Sequence, residues 1–578
     1  MGKKHGYDKY PVVKIKGGGF ALNGTDKVKE YLKSLLKNLK GKTVIAVDCY
    51  PGVREDEVFS SLFDEKNFQK IVKSETCTKD IAEIDAMISR NLTDDRVFGV
   101  MSCHKLIEFF NEEKIKAVKD EINKLKECTV LIYGVGASLI YEPDIIIYCD
   151  LARWEIQTRY RAGMSNWLCD NPGEDTLKKY KRGFFVEWRV ADRHKISIFD
   201  KIEYFLDTTT ENYKLMKGSV LREGLRQTAR RPFRVVPFFD PGVWGGQWMK
   251  EVCGLPEETK NYAWCFDCVP EENSLLLESN GVTVEIPAID LVLTQPVDLL
   301  GDKVHARFGA EFPIRFDFLD TMDGQNLSLQ VHPLTEYIQN TFGMHYTQDE
   351  SYYMLDAGEN ACVYLGVKTG TKPEELIPAL IEAQETAEFD DGKFVNKFPA
   401  KKHDHFLIPA GTMHCSGANS MVLEISATPF IFTFKLWDWN RLGLDGKPRP
   451  VHIEHGKHNI QYNRDTEWVK KNLINRVEVL EKREGYTEER TGLHEREFIE
   501  TRRYWFSEPF EMNTEGGVQV FNLVEGDEIT ISSKGGDFEP FVVHYAETFI
   551  IPASVGEFII SPKTKGFTYG VIRAYVRT

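Results

Sequence analysis

Apolar and polar residues alternate with a period of two from Leu327 to His332. In this run Leu327, Leu329 and Val331 fall on one face of a predicted strand, and Ser328, Gln330 and His332 fall on the other. An amide and an imidazole on a face that points into a core reduce stability unless they have partners. The pattern therefore predicts a strand whose polar face has a specific function.

Two further apolar segments continue this β-pattern, at 351–355 and 421–426. Glu350 opens the first segment, and His414 follows the turn at 409–411 that precedes the second. Two His and one Glu from three strands form the ligand set of a catalytic zinc site, which keeps a position open for water or substrate. A single His in a strand is more often a satisfied core residue, so a metal-binding β-barrel and a plain β-core both stay open on spacing alone.

The first ~225 residues have a different sequence pattern, in which short apolar runs alternate with amphipathic, charged segments. Helices are predicted at 26–40 and 111–127, and strands at 43–47, 97–101, 129–133 and 144–149. Short buried strands separated by polar helices are typical of a parallel sheet with crossover helices. The N-terminal part is thus predicted to be an α/β domain.

The loop after the strand at 43–47 lies where a nucleotide kinase carries its P-loop, and residues 150–161 resemble the basic lid of such kinases. This loop reads DCYPGVREDEV and lacks the glycines, Lys and hydroxyl that hold phosphates and Mg²⁺. The GVGASL segment at 134–139 is a weak phosphate signal. We predict a degenerate kinase-like or Rossmann-like accessory domain; the alternative is a functional nucleotide or sugar-phosphate binder with a non-standard loop.

From residue 234 onward short strands and turns dominate, which is the pattern of an all-β jelly-roll barrel. Helices are predicted at 373–388 and 466–484, and His403 and His405 form an HxH segment that could pass for a pair of metal ligands. The predicted domains are 1–228 (α/β accessory), 229–465 (barrel with the metal site) and 466–578 (linker helix and a small C-terminal β-domain).

Charge and composition exclude several classes of function. The 578 residues have a formal net charge of −15, which argues against a nucleic-acid surface and means that an anionic substrate needs a local basic pocket. The 11 cysteines are irregularly spaced, unlike a disulfide framework. No run of about 18 apolar residues and no signal-peptide pattern occur. We therefore expect a cytoplasmic protein with no membrane or nucleic-acid partner; its oligomeric state stays open.

Several motifs, in one order, resemble the class I mannose-6-phosphate isomerases of bacterial type. They are VWGGQWM, FPIRFDFLD, QVHP, DESYYML, IPAGTMH, VLEIS, TFKLWDWNRLGLDGKPRPVHIE and YAETFIIPASVGEFII, and they cover roughly residues 231–578. The resemblance implies a cupin fold, a bound Zn²⁺ and interconversion of mannose 6-phosphate and fructose 6-phosphate. It also implies a sugar-phosphate substrate.

The same resemblance assigns roles to individual residues. The implied metal ligands are Gln330, His332, Glu350 and His414; the implied substrate-binding residues are Ser328, Lys435, Arg441 and Trp437; the implied catalytic residues are Lys435 and His452. Arg315 is added as a catalytic candidate because it should point to the same face of its strand as Asp317. The general base stays open among His452, Lys435 and Glu424. Because the family has Gly-Asp where the HxH segment stands, we expect His403 and His405 on the solvent side of a strand.

The sequence departs from the family pattern at two positions. Asp317 stands where the family has a Lys, and Lys435 stands where it has an Arg. Because Arg and Lys differ in bidentate binding, we hypothesise that Arg315 and Lys435 together replace the usual pair. These substitutions leave one alternative, a metal-binding cupin that senses sugar phosphates without isomerase activity. A second alternative concerns the N-terminal half: a bifunctional enzyme in which that half transfers phosphate.

Overall fold

The computed structural model describes residues 6–427, 432–444, 446–492, 495 and 497–578. The chain forms two compact units. The first, here called the α/β unit, contains Val12–Gln227 and Ser274–Thr294. The second, the β-unit, contains residues 6–11, Thr228–Asn273 and the described part of Gln295–Thr578. The chain thus leaves the α/β unit and returns to it once.

The strands and helices are numbered along the chain. The strands up to residue 217 are β1 (Val12–Lys14), β2 (Ala21–Asn23), β3 (Thr43–Cys49), β4 (Lys70–Lys73), β5 (Thr129–Gly134), β6 (Ile145–Asp150), β7 (Ile202–Asp207) and β8 (Lys214–Lys217). Those from 238 to 437 are β9 (Phe238–Asp240), β10 (Trp264–Cys268), β11 (Ser274–Ser279), β12 (Val282–Pro287), β13 (Arg315–Asp320), β14 (Leu329–Val331), β15 (Asp349–Ala357), β16 (Cys362–Val367), β17 (Val395–Pro399), β18 (His405–Ile408), β19 (His414–Ser416), β20 (Ser420–Ala427) and β21 (Phe434–Trp437). The remaining strands are β22 (Glu478–Arg483), β23 (Tyr486–Gly492), β24 (Ile499–Phe506), β25 (Phe510–Asn513), β26 (Gln519–Glu525), β27 (Glu528–Ser533), β28 (Phe541–His544), β29 (Thr548–Ile551), β30 (Glu557–Pro562) and β31 (Tyr569–Val576).

The helices are α1 (Thr25–Lys37), α2 (Glu55–Leu62), α3 (Ile81–Leu92), α4 (Glu112–Lys124), α5 (Ala137–Ile140), α6 (Arg153–Arg161), α7 (Thr176–Arg182), α8 (Trp188–Ile198), α9 (Gly218–Thr228), α10 (Trp248–Val252), α11 (Ile289–Thr294), α12 (Pro296–Leu300), α13 (Asp302–Phe308), α14 (Thr335–Phe342), α15 (Pro373–Thr386), α16 (Asp391–Phe394), α17 (Ile453–Gly456) and α18 (Thr466–Asn472), with a π-helical turn at Gly183–Glu187. No helix in these described ranges is both long and apolar enough to cross a membrane.

The α/β unit is built on a seven-stranded sheet with the order β2-β8-β7-β6-β3-β5-β4. Strands β4, β5, β3, β6 and β7 pair in parallel; of these, β3, β5 and β6 correspond to the predicted apolar runs. Every residue of β3 is buried, because the central strand of such a sheet is covered on both faces. The returning segment supplies β11 and β12, which form a small sheet with β1, and α11.

The strand predicted at 97–101 is absent, and the physical reason is local. The side chains of Asn91 and Thr93 bond the carbonyls of Val100 and Phe98, and Asp95 accepts the amides of Val97 and Phe98. These side chains replace the partners that a neighbouring strand would provide. Strands β2, β4, β7 and β8 of the sheet were not predicted.

The β-unit contains four larger sheets. One has the order β18-β15-β20-β13-β10-β9 and another β17-β16-β19-β14-β21. The C-terminal part adds the sheets β22-β23-β24-β31-β26-β29 and β25-β30-β27-β28, which share an aromatic and aliphatic core. This confirms a multidomain, sheet-rich chain after an α/β region, whereas the jelly-roll description and the predicted domain limits remain predictions.

The helix predicted at 466–484 is wrong beyond its first two turns. Helix α18 ends at Asn472, Asn475 adopts a left-handed conformation (φ 48°), and the chain continues as β22. An isolated bridge between Ile474 and Phe406 turns the backbone from helix to sheet pairing. Tertiary pairing here overrides a sequence rich in Glu and Lys that favours helix.

Candidate functional site

Four polar side chains predicted as ligands meet in the interior of the β-unit. Nε2 of His414 lies 2.8 Å from Oε1 of Glu350, and Nε2 of His332 lies 3.0 Å from Oε2 of the same carboxylate. The Gln330 amide nitrogen lies 3.2 Å from Nε2 of His414. All four residues are buried. The structure therefore brings together a group that spans 85 residues of sequence.

Strand pairing explains why these residues are neighbours. Gln330 on β14 and His414 on β19 are directly opposite each other in an antiparallel pair, so their side chains share one face. Glu350 lies on β15, which belongs to the other sheet of this part of the unit. The two sheets consequently approach each other at this cluster, with His332 just beyond the end of β14.

Hydrogen bonds to the backbone orient both imidazoles. Nδ1 of His332 lies 2.8 Å from the carbonyl of Phe432, and Nδ1 of His414 lies 2.8 Å from the carbonyl of Thr412. Since a carbonyl only accepts, each Nδ1 carries a proton and donates it. Each Nε2 is then free to present a lone pair to the cluster, which is the tautomer of metal-bound histidines.

The pKa shifts in the cluster favour positive charge beside Glu350. Burial raises the pKa of Glu350, but the adjacent imidazoles of His332 and His414 outweigh burial and hold it well below its usual range. Burial lowers the pKa of His332, but Glu350 outweighs burial and the net shift is upward. Lone pairs of two nitrogens and one carboxylate facing each other are stable only with a proton or a cation between them.

This donor set fits a metal ion. Within the residues that the structure describes, His332, Glu350 and His414 are the one group of His, Cys, Asp or Glu whose ligand atoms all lie within 4.8 Å of one another. Two imidazole nitrogens and a carboxylate match the ligand types of zinc. Gln330 adds a fourth group, because its amide oxygen can face the cluster as readily as its nitrogen.

A second row of charged residues lies beside Glu350. On paired strands, Asp317 of β13 is opposite Glu424 of β20, and Glu424 is opposite Tyr352 of β15. Burial raises the pKa of Asp317 to about 7, although Arg315 opposes the shift. Burial and then repulsion by Glu350 and Asp317 raise the pKa of Glu424 well above its usual range. Burial thus makes both carboxyl groups weaker acids than exposed ones.

Arg315 is buried with these carboxylates. It begins β13 opposite Ser426, and it interacts electrostatically with Asp317, Glu272, Glu271 and Glu424. Burial lowers its pKa, but these anions outweigh burial and raise it. Its charge is thus balanced inside the protein, an arrangement that the strand pattern around FPIRFDFLD did not reveal.

The Asp438 carboxylate accepts hydrogen bonds from Ser328 and Arg441, two of the residues predicted to bind substrate. The Ser328 hydroxyl donates to Oδ1 of Asp438 at 2.7 Å, and Nη2 of Arg441 donates to the same oxygen at 2.6 Å. Arg449 donates to both carboxylate oxygens and, at 3.1 Å, to the Ser328 hydroxyl. Sequence reasoning missed Arg449, which lies eight residues beyond Arg441 in an irregular segment without a periodic signal.

The remaining predicted residues surround the end of β21. Lys435 is directly opposite Gln330, so it lies next to the ligand cluster. The His452 amide donates to the Lys435 carbonyl at 2.7 Å. Trp437 is opposite Leu329 and packs beside Phe389, and its ring is almost completely buried.

His405 differs from the prediction for the HxH segment. It lies on β18 and is 1% exposed, and burial lowers the pKa of its imidazole to about 3. His403 is half-buried and contacts Tyr353 and Glu525. The solvent-side interpretation is therefore wrong for His405, because its ring packs against the Tyr353 ring of β15 and lies next to Gly492 of β23.

In the α/β unit, carboxylates bond the loop that carries the weak phosphate signal. Asp48, near the end of β3, accepts the amides of Gly136 and Ser138 at 3.0 Å each and lies 2.9 Å from Nε2 of His194. Glu55 accepts the amide of Val135 at 2.9 Å. Ligands of open α/β sheets bind beyond the carboxyl ends of the strands. Here amides at that edge already have anionic partners.

The basic residues of the predicted lid are also engaged within the unit. Arg153 stacks on the Tyr50 ring, 3.5 Å from its centroid, and pairs with Asp150 at 3.0 Å. Arg159 donates to the carbonyls of Gly52 and Thr208 at 2.8 and 2.7 Å. These guanidinium groups thus contact the chain at or just beyond the ends of β6, β3 and β7.

Comparisons with known proteins divide the chain in two. A family model described as a domain of unknown function (DUF8485) matches residues 26–230. Mannose-6-phosphate isomerase of Streptococcus mutans is 30% identical over 214 residues, which are 37% of this chain and 62% of the relative. Mannose-6-phosphate isomerase ManA of Bacillus subtilis is 27% identical over 224 residues, 39% of this chain and 66% of the relative. The chain is thus homologous to mannose-6-phosphate isomerases over more than a third of its length, and it spans slightly less than two thirds of theirs.

Solved structures give weaker likenesses. A crystal structure of the mannose 6-phosphate isomerase of Bacillus subtilis covers 60% of this chain and 100% of its own, with 19% identity and a TM-score of 0.49. A zinc-bound mannose 6-phosphate isomerase covers the same share of each chain, with 14% identity and a TM-score of 0.46. Scores at this level do not establish a shared function.

Proposed function

We propose that the protein is a zinc-dependent mannose-6-phosphate isomerase, which interconverts mannose 6-phosphate and fructose 6-phosphate. The observation that carries this proposal is the buried cluster of His332, Glu350 and His414, with both Nε2 atoms directed at one carboxylate. The homology to enzymes of this name supports the same substrate class. Gln330, His332, Glu350 and His414 would hold the ion.

The phosphate of the substrate is proposed to bind at the group around Ser328. Arg441, Arg449 and Asp438 together carry one net positive charge, and the Ser328 hydroxyl adds a neutral donor. Arginine fits phosphate oxygens well because its planar fork donates two bonds at once. Ser328 precedes Gln330 by two residues, so a sugar between the two ends of this strand contacts both the phosphate group and the ligand cluster.

Isomerisation moves a proton between C1 and C2 while charge develops on a sugar oxygen. A bound Zn²⁺ supplies Lewis acidity that stabilises this charge by several kcal/mol. Lys435 is proposed to orient the substrate beside Gln330, and His452, which is held to the Lys435 carbonyl, is proposed to carry the proton. Arg315 is proposed to act at a distance, by balancing the carboxylates Asp317 and Glu424 next to the site.

A coupled assay for fructose 6-phosphate production tests the proposal. Activity should be lost on chelation and restored by Zn²⁺, and it should be absent in His414→Ala. Turnover that survives complete removal of metal would refute the proposal. A protein that contains metal but shows no turnover would instead be a metal-binding sugar-phosphate sensor, for which the charge balance of Arg315 and the Lys435 substitution give a reason.

For the α/β unit we propose an accessory role without phosphate transfer. The support is the set of carboxylate bonds from Asp48 and Glu55 to the amides of the 134–138 loop, which oppose phosphate binding there. Thermal unfolding of the full-length protein with and without Mg²⁺ and ATP tests this. We expect the unfolding midpoint to stay unchanged at roughly 5–10 mM nucleotide, which is far above the Kd of a functional site. A clear rise of the midpoint would support the bifunctional alternative.

A further inference from the structure

Gln348 lies between two buried carboxylates beside the ligand cluster. Its side-chain nitrogen donates to Oε2 of Glu350 at 2.8 Å and reaches Oε1 of Glu424 at 3.5 Å. Gln348 is 4% exposed, and its amide oxygen makes no hydrogen bond to any residue that the structure describes. The contacts of the side-chain nitrogen with the two carboxylates therefore determine the orientation of the Gln348 amide.

The backbone around Gln348 is fixed from both sides. The Thr347 hydroxyl donates to the carbonyl of Pro333, which follows His332. Asp349 accepts the Ala410 amide at 2.7 Å, in the turn that leads to His414. The short segment 347–349 thus connects both histidine-bearing segments to the start of β15, where Glu350 lies.

Without the amide, two carboxylates would face each other in a buried space. Glu350 is directly opposite Ser426, two residues from Glu424 on β20, and neither carboxylate can move into solvent because both are buried. A single donor between them reduces their repulsion and keeps the Glu350 oxygens directed at His332 and His414.

We propose that Gln348 is a positioning residue that holds Glu350 in the orientation required to bind the metal ion and keeps it apart from Glu424. This inference rests on the metal site of the proposed function, but it does not depend on which reaction the site performs. Partners that orient ligands in this way change metal affinity by about 10–100-fold when they are removed.

The test compares Gln348→Met with Gln339→Met in the full-length protein. Methionine matches glutamine in length and removes the donor. Gln339 is exposed on α14 and donates to the His345 carbonyl, so its replacement makes the same chemical change away from the cluster. Zinc affinity is measured by competition with a chromophoric chelator, and the visible spectrum of the Co²⁺-loaded protein reports the ligand geometry.

We expect Gln348→Met to weaken zinc binding by about 10–100-fold and to change the Co²⁺ bands, while Gln339→Met matches wild type in both. Unchanged affinity and an unchanged spectrum in Gln348→Met would overturn the inference, as would weak binding shared by both Met variants. Wild-type protein that binds zinc but lacks isomerase activity would refute only the proposed reaction, and wild-type protein that binds none would overturn the metal site and this inference together.

Discussion

Replacing Lys195 tests whether the returning segment 274–294 is an energetic part of the α/β unit. Nζ of Lys195 on α8 lies 2.6 Å from Asp150 at the end of β6 and 2.5 Å from Asp290 on α11. All three side chains are at most 2% exposed. Lys195→Met leaves Asp150 paired with Arg153 at 3.0 Å, but it removes the hydrogen-bond donor that Asp290 has among the described residues.

The expected loss follows from the burial of that charge. Breaking a buried ion pair by removing one partner costs about 3–5 kcal/mol. For a unit of this size, each kcal/mol lowers the midpoint by about 2–4 °C, which predicts a decrease of roughly 6–20 °C. The exposed pair of Lys201 with Glu142 offers a matched control, because Lys201→Met should change stability by less than about 0.5 kcal/mol.

The loss should also depend on pH. Burial raises the pKa of Asp290 to about 6, and Lys195 opposes that shift. In Lys195→Met the pKa rises further, so the folded state retains a proton that the unfolded state releases. Stability from this group is present at low pH and is lost as pH rises through the folded pKa. The deficit of Lys195→Met relative to wild type should therefore be larger at pH 8 than at pH 5.

Calorimetric or urea unfolding at both pH values checks these expectations. Adding Asp290→Asn to Lys195→Met removes the orphaned charge and should recover a large part of the loss, which a double-mutant cycle measures. A loss below about 1 kcal/mol, or fully additive effects of the two substitutions, would show that the segment contributes no charge pairing to the unit.

Three further substitutions test the β-unit. Arg464 donates from one nitrogen to three oxygens of the turn at 409–412, which precedes His414. Arg464→Met should therefore lower stability by about 3 kcal/mol and weaken zinc binding, because His414 loses its fixed position. Unchanged zinc affinity would contradict this. Burial raises the pKa of Asp320 to about 7, so between about pH 4 and 7 the free energy of unfolding from this group falls as pH rises, by at most about 1.4 kcal/mol per unit. Asp320→Asn should remove this slope, and equal slopes in both proteins by urea titration would refute it. Arg449→Gln should raise the KM for the sugar phosphate about tenfold or more without changing bound zinc, and an unchanged KM would exclude Arg449 from the phosphate group's site.

The residues of the buried cluster at Glu350 had signals in the sequence because local rules constrain them. Alternation places Gln330 and His332 on one face of a strand, and His414 follows the turn at 409–411. Helices α1, α4 and α15 were likewise predicted within a few residues, since their apolar spacing is periodic. The residues around 97–101 and 473–484 were predicted wrongly, because side-chain bonds and strand pairing there replaced the preference of the segment itself.

The partners of those ligands had no comparable signal. Gln348 and Arg449 lie in irregular segments, and only the folded chain shows that one donates to Glu350 and the other to Asp438. The same holds for Lys195, whose partner Asp290 is 95 residues away in a segment that appeared to belong to the β-region.

The amino-acid pattern was sufficient for the alternation of strands and helices, the α/β character of the first part, and the types of residue that bind a metal ion. These features depend on neighbours within a few positions, where side-chain period and turn chemistry act directly. Register across sheets, the choice of counter-ion for each buried charge and the return of residues 274–294 to the first unit depend on contacts between distant segments. Many arrangements satisfy the local pattern equally well, and the three-dimensional packing selected the one in which the buried charges gain partners.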